Sequence, residues 1–177
     1  PAVANGVVYL PVTMVGRFGE GLFARSEGVV IASSNLMTER NPLLLDWLTL
    51  PGGRVGLRPP GGGGLISEEH SITALSDGTL QNTFRTVAGW PAVSYSVDNG
   101  STWTEPTYMT YADGRRVKCP RAANFVWKCR NGRYLYWYHN HGGAAFHAHL
   151  RTNSHYSFEN RNPVWMLAGV EVDTPHG

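Results

Sequence analysis

Acidic, basic and imidazole side chains gather at two places in this sequence. One is Glu68-Glu69-His70 together with Arg85; the other is Arg121 and Asn124 together with Tyr138, His139, Asn140 and His141. These residue types suit one kind of chemistry. Paired guanidinium groups bind a planar carboxylate bidentately. A carboxylate or a neutral imidazole beside them can take a proton from a reacting group. Two acids, two arginines and three histidines around one cavity would form a pocket for an anionic substrate.

Whether they meet depends on the elements that carry them. Three stretches repeat one pattern of tight turn, strand and glycine: Asn5-Gly6 to Gly16, Asp77-Gly78 to Gly89, and Asn131-Gly132 to Gly142. A shorter strand follows each, at Leu22 to Arg25, Ala92 to Ser96 and Pro163 to Leu167, and strands at Ser71 to Leu75 and Ala123 to Trp127 precede the second and third turns. The second and third turns lie 54 residues apart, the size of one four-stranded propeller blade, and the first and second lie 72 apart. Residues 34 to 64 hold the extra length, with a helical turn expected at Leu43-Leu44-Leu45 and a loop at Pro59 to Gly64. No long stretch has helical periodicity. The expected fold is an all-β partial propeller over 1–177, in about three four-stranded blades at 1–64, 65–118 and 119–177.

If Asp77-Gly78 and Asn131-Gly132 are two-residue hairpin turns, equidistant residues face each other. Glu69 then lies opposite Thr86 and His70 opposite Arg85. Arg121 lies opposite Gly142 and Asn124 opposite His139. Both polar groups fall at the same end of successive blades, where an axial pocket is expected.

Bulk composition excludes several classes. Of 177 residues, 15 are Lys or Arg and 13 Asp or Glu, a net +2 that is too balanced for an electrostatic nucleic-acid binder. Mean hydropathy is −0.25. No run of eighteen apolar residues predicts a membrane span. The 21 glycines, 6 tryptophans and 8 tyrosines suit turns and strands. The chain starts at Pro1 and stops just after a turn, which reads as a piece of a longer protein whose closed ring has more blades. Cys119 and Cys129 do not settle the redox compartment.

One motif is more specific. Ser96-Val97-Asp98-Asn99-Gly100-Ser101-Thr102-Trp103 is a self-contained turn. Asn99-Gly100 tolerates positive φ, Asp98 and Ser96 can accept the turn's amides, and Trp103 folds back as a lid. The stretch resembles the Asp-box of the BNR-repeat β-propellers, which include the sialidases. Ser26-Glu27-Gly28 and Asp46-Trp47 look like worn remnants of the same box in the first unit. The formal glycosylation sequon Asn99-Gly100-Ser101 falls inside this turn.

The resemblance extends to spacing. Such enzymes often place a Glu eight residues before an Asp-Gly turn and an Arg eight residues after that Asp, as Glu69, Asp77 and Arg85 stand here. The next blade of such enzymes has an apolar strand, then an Asn and an Arg leading into another strand, and here Tyr136-Trp137-Tyr138-His139-Asn140 is followed by Asn160-Arg161-Asn162-Pro163. The resemblance implies a six-bladed, retaining exo-glycosidase acting on a terminal acidic sugar. Glu69 would activate a tyrosine nucleophile, and Arg85 and Arg161 would grip the substrate carboxylate. His70, Arg121, Tyr138, His139 and His141 would line the pocket. Sialidases are among the glycosidases with a tyrosine nucleophile. The chain lacks the Arg-Ile-Pro motif of their first blade, Asp46 is a poor match for their acid/base Asp, and the nucleophile is expected beyond Gly177.

Two alternatives stand beside this. A propeller polysaccharide lyase would use His70, His139 or Tyr138 to remove a proton beside a uronate carboxylate that arginine neutralises. A non-catalytic carbohydrate-binding propeller would pair Glu69 and Arg85 off between blades. His139-Asn140-His141, His147-Ala148-His149 and His155 are spaced as a metal site could be. The preferred reading makes them a pocket rim, with no metal or cofactor. The expected partner is an acidic glycan, for which an extracellular or periplasmic location is suitable; oligomeric state is not legible.

Overall fold

The computed structural model describes residues 1–16, 25–53, 55–140 and 161–172. These residues build three antiparallel sheets, each a run of neighbouring strands in chain order. The first holds β1 (Ala2–Ala4), β2 (Val7–Val15), β3 (Ser26–Ser33) and β4 (Leu48–Leu50). The second holds β5 (Glu68–Ala74), β6 (Leu80–Arg85), β7 (Ala92–Ser96) and β8 (Thr107–Tyr108). The third holds β9 (Phe125–Lys128), β10 (Tyr134–His139) and β11 (Val164–Gly169). The only helical element among the described residues is a 3-10 turn at Pro42–Leu44, capped by the Asn41 side chain. No described helix is long and apolar enough to cross a membrane.

The buried apolar residues form two clusters. Tyr9, Val30, Ala32 and Leu50 of the first pack on Ile72 and Leu80 of the second. Tyr136 and Tyr138 of the third pack on Val117 and Cys119. Hydrogen bonds stitch the units as well. Thr73 donates to the Val126 carbonyl across sheets two and three, and Asn5 donates to the Gly78 carbonyl and to Asn99 Oδ1. Cys119 and Cys129 are free thiols.

Only the first of the three repeat turns is a two-residue hairpin. Ala4 pairs with Val7 around Asn5 (φ 52°) and Gly6 (φ 76°). In the second, Leu75 donates to the Thr79 carbonyl, which leaves Ser76, Asp77 and Gly78 in the loop. Three-residue loops of this kind need a residue at positive φ, supplied by Gly78 at 89°. The third repeats the geometry, with Cys129 bonded to Arg133 and Gly132 at 76°. Both registers therefore shift by one residue from the expected pairing. Phe125 pairs with Trp137, where the expected register put Val126, and the β9–β10 ladder ends before Asn124 and His139.

A bulge adds a second correction. The β5–β6 ladder runs regularly from Ala74↔Leu80 to Ser71↔Thr83 and then jumps to Glu68↔Arg85. Glu69 sits in the bulge at φ 52°, an unusual conformation for a non-glycine residue. Arg85 thus faces Glu68, not His70.

The Ser96–Trp103 turn folds as its chemistry suggests. Asp98 accepts from the Thr102 amide at 2.8 Å, the Thr102 hydroxyl at 2.6 Å and the Ser96 hydroxyl at 2.8 Å. The Thr102 bonds, with that of Ser96, hold the Asp98 carboxyl below its usual range. Trp103 Nε1 closes the turn on the Gly100 carbonyl at 2.9 Å.

The first unit repeats this arrangement with seven more residues between its two halves. Ser33 ends β3 as Ser96 ends β7. Asn35 Oδ1 accepts from the Asp46 amide at 3.0 Å, as Asp98 accepts from that of Thr102. Asp46 in turn accepts from the Ser33 hydroxyl and the Ser34 and Asn35 amides. Asp46-Trp47 is the far half of a split turn, whereas Ser26-Glu27-Gly28 belongs to β3. There the buried Glu27 binds Arg58 at 2.8 Å and Arg25 at 3.1 Å.

Gly28 marks a close contact. A Cβ there would stand 2.0 Å from two ring atoms of His70, whose ring is stacked on Phe84 at 4.5 Å. The imidazole has nowhere to retreat, so Gly28→Ala should lower stability by about 2 kcal/mol or more. Urea titration checks this, and an unchanged midpoint would mean that the ring moves freely.

Candidate functional site

Glu68 opens β5 and Arg85 closes β6, so the pairing of these strands brings them together. Glu68 Oε2 accepts from Arg85 Nε at 2.9 Å and from Arg121 Nε at 3.0 Å, while Oε1 accepts from Arg121 Nη2 at 2.5 Å. Arg121, in the connection from sheet two to sheet three, is fully buried. Burial pushes the Glu68 carboxyl up, but hydrogen bonds and charge from Arg121, then Arg85, outweigh it and hold the group below its usual value.

The bulge sends the neighbouring carboxylate elsewhere. Glu69 reaches Arg85 Nη1 at 3.1 Å, and its side chain is 43% exposed against 7% for Glu68. Its amide donates to Thr13 Oγ1 of the first sheet at 3.3 Å. Two adjacent glutamates thus have separate situations, one clamped in the interior and one open to solvent beside the same guanidinium.

The third sheet supplies the other side. Arg161 Nη2 donates to the Arg121 carbonyl at 2.9 Å, and Arg85 Nη1 approaches the same oxygen at 3.5 Å. His139 Nδ1 bonds to the Arg161 carbonyl, with its ring edge-on to Trp137. Glu68, Glu69, Arg85, Arg121, Arg161 and His139 are therefore contiguous. Among the described residues, three guanidinium groups meet two carboxylates, a formal excess of one positive charge that favours an anion.

Four expected pocket residues are placed differently or not at all; the first is Arg121, fully buried against Glu68 instead of lining an open pocket. His70 is buried in the core: the Asn82 amide donates to Nδ1 at 3.0 Å, and Nε2 donates to the Ser67 hydroxyl at 2.9 Å. Desolvation lowers its pKa to about 4, against the opposing pull of these bonds and of Glu68, so the ring is neutral. It supports the strand behind Glu68 and Glu69 instead of lining a pocket. Tyr138 is buried too, stacked on Tyr136 at 5.1 Å with its hydroxyl 3.1 Å from that of Tyr111. Desolvation, then the Tyr111 hydrogen bond, pushes its phenol well up. His141, like His147, His149 and His155, lies outside the described residues.

Sequence reasoning missed two members. Glu68 has no role of its own in the sequence pattern, although it is the carboxylate that joins Arg85 to Arg121. Cys119 lies near Glu69, Arg85, Arg161 and the His139 backbone, and burial pushes its thiol up to about 11, which makes it an inert wall. The adjacent Glu68-Glu69 pair was a signal that one of them could be structural; nothing local marked which.

Comparison with known proteins adds a fold-level likeness. No protein-family model matches the chain, and no curated protein matches it. Among solved structures it is similar to a protein of unknown function from Dyadobacter fermentans, with a TM-score of 0.53 and 16% identity over 76% of this chain and 31% of that one. It is also similar to the intramolecular trans-sialidase from Ruminococcus gnavus in complex with oseltamivir carboxylate, with a TM-score of 0.46 and 16% identity over 76% and 23%. The first likeness is one of fold; the second is too low to carry an argument. The chain spans about a third of the first structure and about a quarter of the second.

Proposed function

We propose that this chain is three blades of a sialidase-like β-propeller in a carbohydrate-active enzyme, an exo-glycosidase acting on a terminal acidic sugar. The observation that carries the reading is the solvent-open Glu69 carboxylate held 3.1 Å from Arg85, next to Arg161 in a cluster with excess positive charge. Arg85 and Arg161 hold the sugar carboxylate through their N–H groups. Glu69 is the base that takes the proton of a tyrosine nucleophile supplied from elsewhere in the protein. Three consecutive antiparallel meanders and the Asp-box resemblance of Ser96–Trp103 support the propeller.

A non-catalytic glycan-binding role is the second reading. It is favoured by the engagement of Arg85 with both glutamates while only 11% of its side chain is exposed. The lyase reading loses its His70 base to the core.

Incubation of the whole protein with a fluorogenic α-sialoside, and separately with a uronate polysaccharide, distinguishes the readings. Sialic acid release should fall about a hundredfold in Glu69→Gln, as expected for loss of a general base. The substitution lies on the surface and should leave the circular dichroism spectrum unchanged. An unsaturated uronate product abolished by His139→Ala would instead identify a lyase. Binding to immobilised sialoside without either product would identify the non-catalytic protein.

A further inference from the structure

A second cluster stands at the same end of the second sheet as Glu68 and Arg85. The loop between β6 and β7 carries Trp90, and Tyr108 ends β8 directly opposite Ala92, the first residue of β7. The Arg116 guanidinium carbon lies 4.7 Å from the ring centre of Trp90 and 4.7 Å from that of Tyr108. The two rings are 5.5 Å apart and tilted by 57°. Gly61 to Gly64, just before β5, form the facing wall. They pack so closely that a Cβ on Gly63 would stand 2.3 Å from the Tyr108 hydroxyl, and one on Gly64 2.8 Å from Val87. Between them is a half-open cleft of about 290 Å³, completed by Val87 and Ala88.

Its chemistry is selective. Among the described residues of the lining, Arg116 is the one charged residue and none is a carboxylate. Among the described residues its guanidinium contacts are the two aromatic rings, which fix a guanidinium without accepting all of its N–H groups. A cation held by aromatic walls, with room for a ring-sized guest, suits a carboxylated or sulfated sugar. The backbone links it to the first site, because the Cys119 amide bonds to the Gly89 carbonyl beside Trp90 and Cys119 lies near Arg85.

The geometry points to a second glycan subsite here, in which Arg116 holds the anionic group of a sugar unit and Trp90 and Tyr108 flank it. The inference rests on the reading of Glu69, Arg85 and Arg161 as an acidic-sugar site, and it extends the substrate to a glycan with a second negative charge.

The test is a fluorescence titration of the whole protein, followed through tryptophan emission. The probes are a sulfated disaccharide, a uronate-containing disaccharide, the neutral parent disaccharide and inorganic sulfate. At least one anionic disaccharide should bind about tenfold or more tighter than the neutral one, and Arg116→Gln should erase that preference. Trp90→Phe should reduce the emission change while retaining the preference. Equal affinity for charged and neutral disaccharides, or a preference surviving in Arg116→Gln, would overturn the subsite. Competition by inorganic sulfate as strong as that by the disaccharides would reduce it to an ion site and overturn the glycan. Glu69→Gln should leave this binding intact, so a preference without sialoside hydrolysis sinks the catalytic reading alone.

Discussion

Glu68→Ala is expected to unfold the protein or leave it barely folded at room temperature. The substitution strips the fully buried Arg121 of its carboxylate and removes the same partner from Arg85. A buried charge that has lost its partner costs about 3–5 kcal/mol, a large share of the roughly 5–15 kcal/mol that holds a domain together. The effect should exceed that of Glu69→Gln, whose side chain is exposed and whose ion pair contributes about 1 kcal/mol at most. Glu68→Gln, which keeps the volume and one acceptor, should fall between them. Urea unfolding of the three variants ranks them. If Glu68→Ala matched the wild type, the joint between sheets two and three would have to rest on packing alone.

Acid should weaken the fold well before its carboxylates titrate. His70 in the folded chain has a pKa of about 4 against an ordinary 6.5. The sign follows from proton counting. Below pH 6.5 the unfolded chain binds a proton that the folded chain refuses until about pH 4, so the unfolded state gains as pH falls. The stability from His70 is complete above 6.5 and is lost progressively between 6.5 and 4, by about 3 kcal/mol across the window. Glu68, Glu27 and Asp98, all held below their usual values, lose their contributions at still lower pH. Measured as urea midpoint against pH, the wild type should slope through this window and His70→Gln should be nearly flat. An equal slope in both would assign the acid sensitivity to other groups.

Local chemistry in the sequence carried much of this architecture. The three Asn-Gly or Asp-Gly turns lie where strands reverse, and the strands around the second and third were legible within a few residues; β3 was not, and the strand expected from Leu22 lies, up to residue 24, outside the described residues. The Ser96–Trp103 turn could be read down to its hydrogen bonds because every donor and acceptor lies within eight consecutive residues. Registers were not legible to one residue. Asp-Gly and Asn-Gly serve both two-residue and three-residue loops, and the choice depends on which backbone pair closes outside them. The bulge at Glu69 was invisible for a related reason. Glu68, His70 and Ile72 stay buried in alternation across it, so the residue pattern is that of an unbroken strand. This one irregularity decides which glutamate is locked to Arg121 and which reaches solvent. His70 reads in sequence as a pocket residue because it is polar and adjacent to both. Its neutral, hydrogen-bonded burial depends on Asn82 and on the missing side chain of Gly28, neither of which is near it in the chain.

The turn completed by Asn35 and Asp46 behaves differently from its uninterrupted counterpart. Its two halves find each other through side-chain contacts, so the intervening residues 36–45 are a detour the sheet does not need. Such a junction works as a docking port for new chain: the closing contacts stay fixed while the excursion changes length or composition. Leu43 and Leu44 on that excursion are largely exposed, so new surface properties can be written there without rewriting the strands beneath. Among repeated sheets, a junction of this sort lets one sheet diverge from the others while keeping its strands in place.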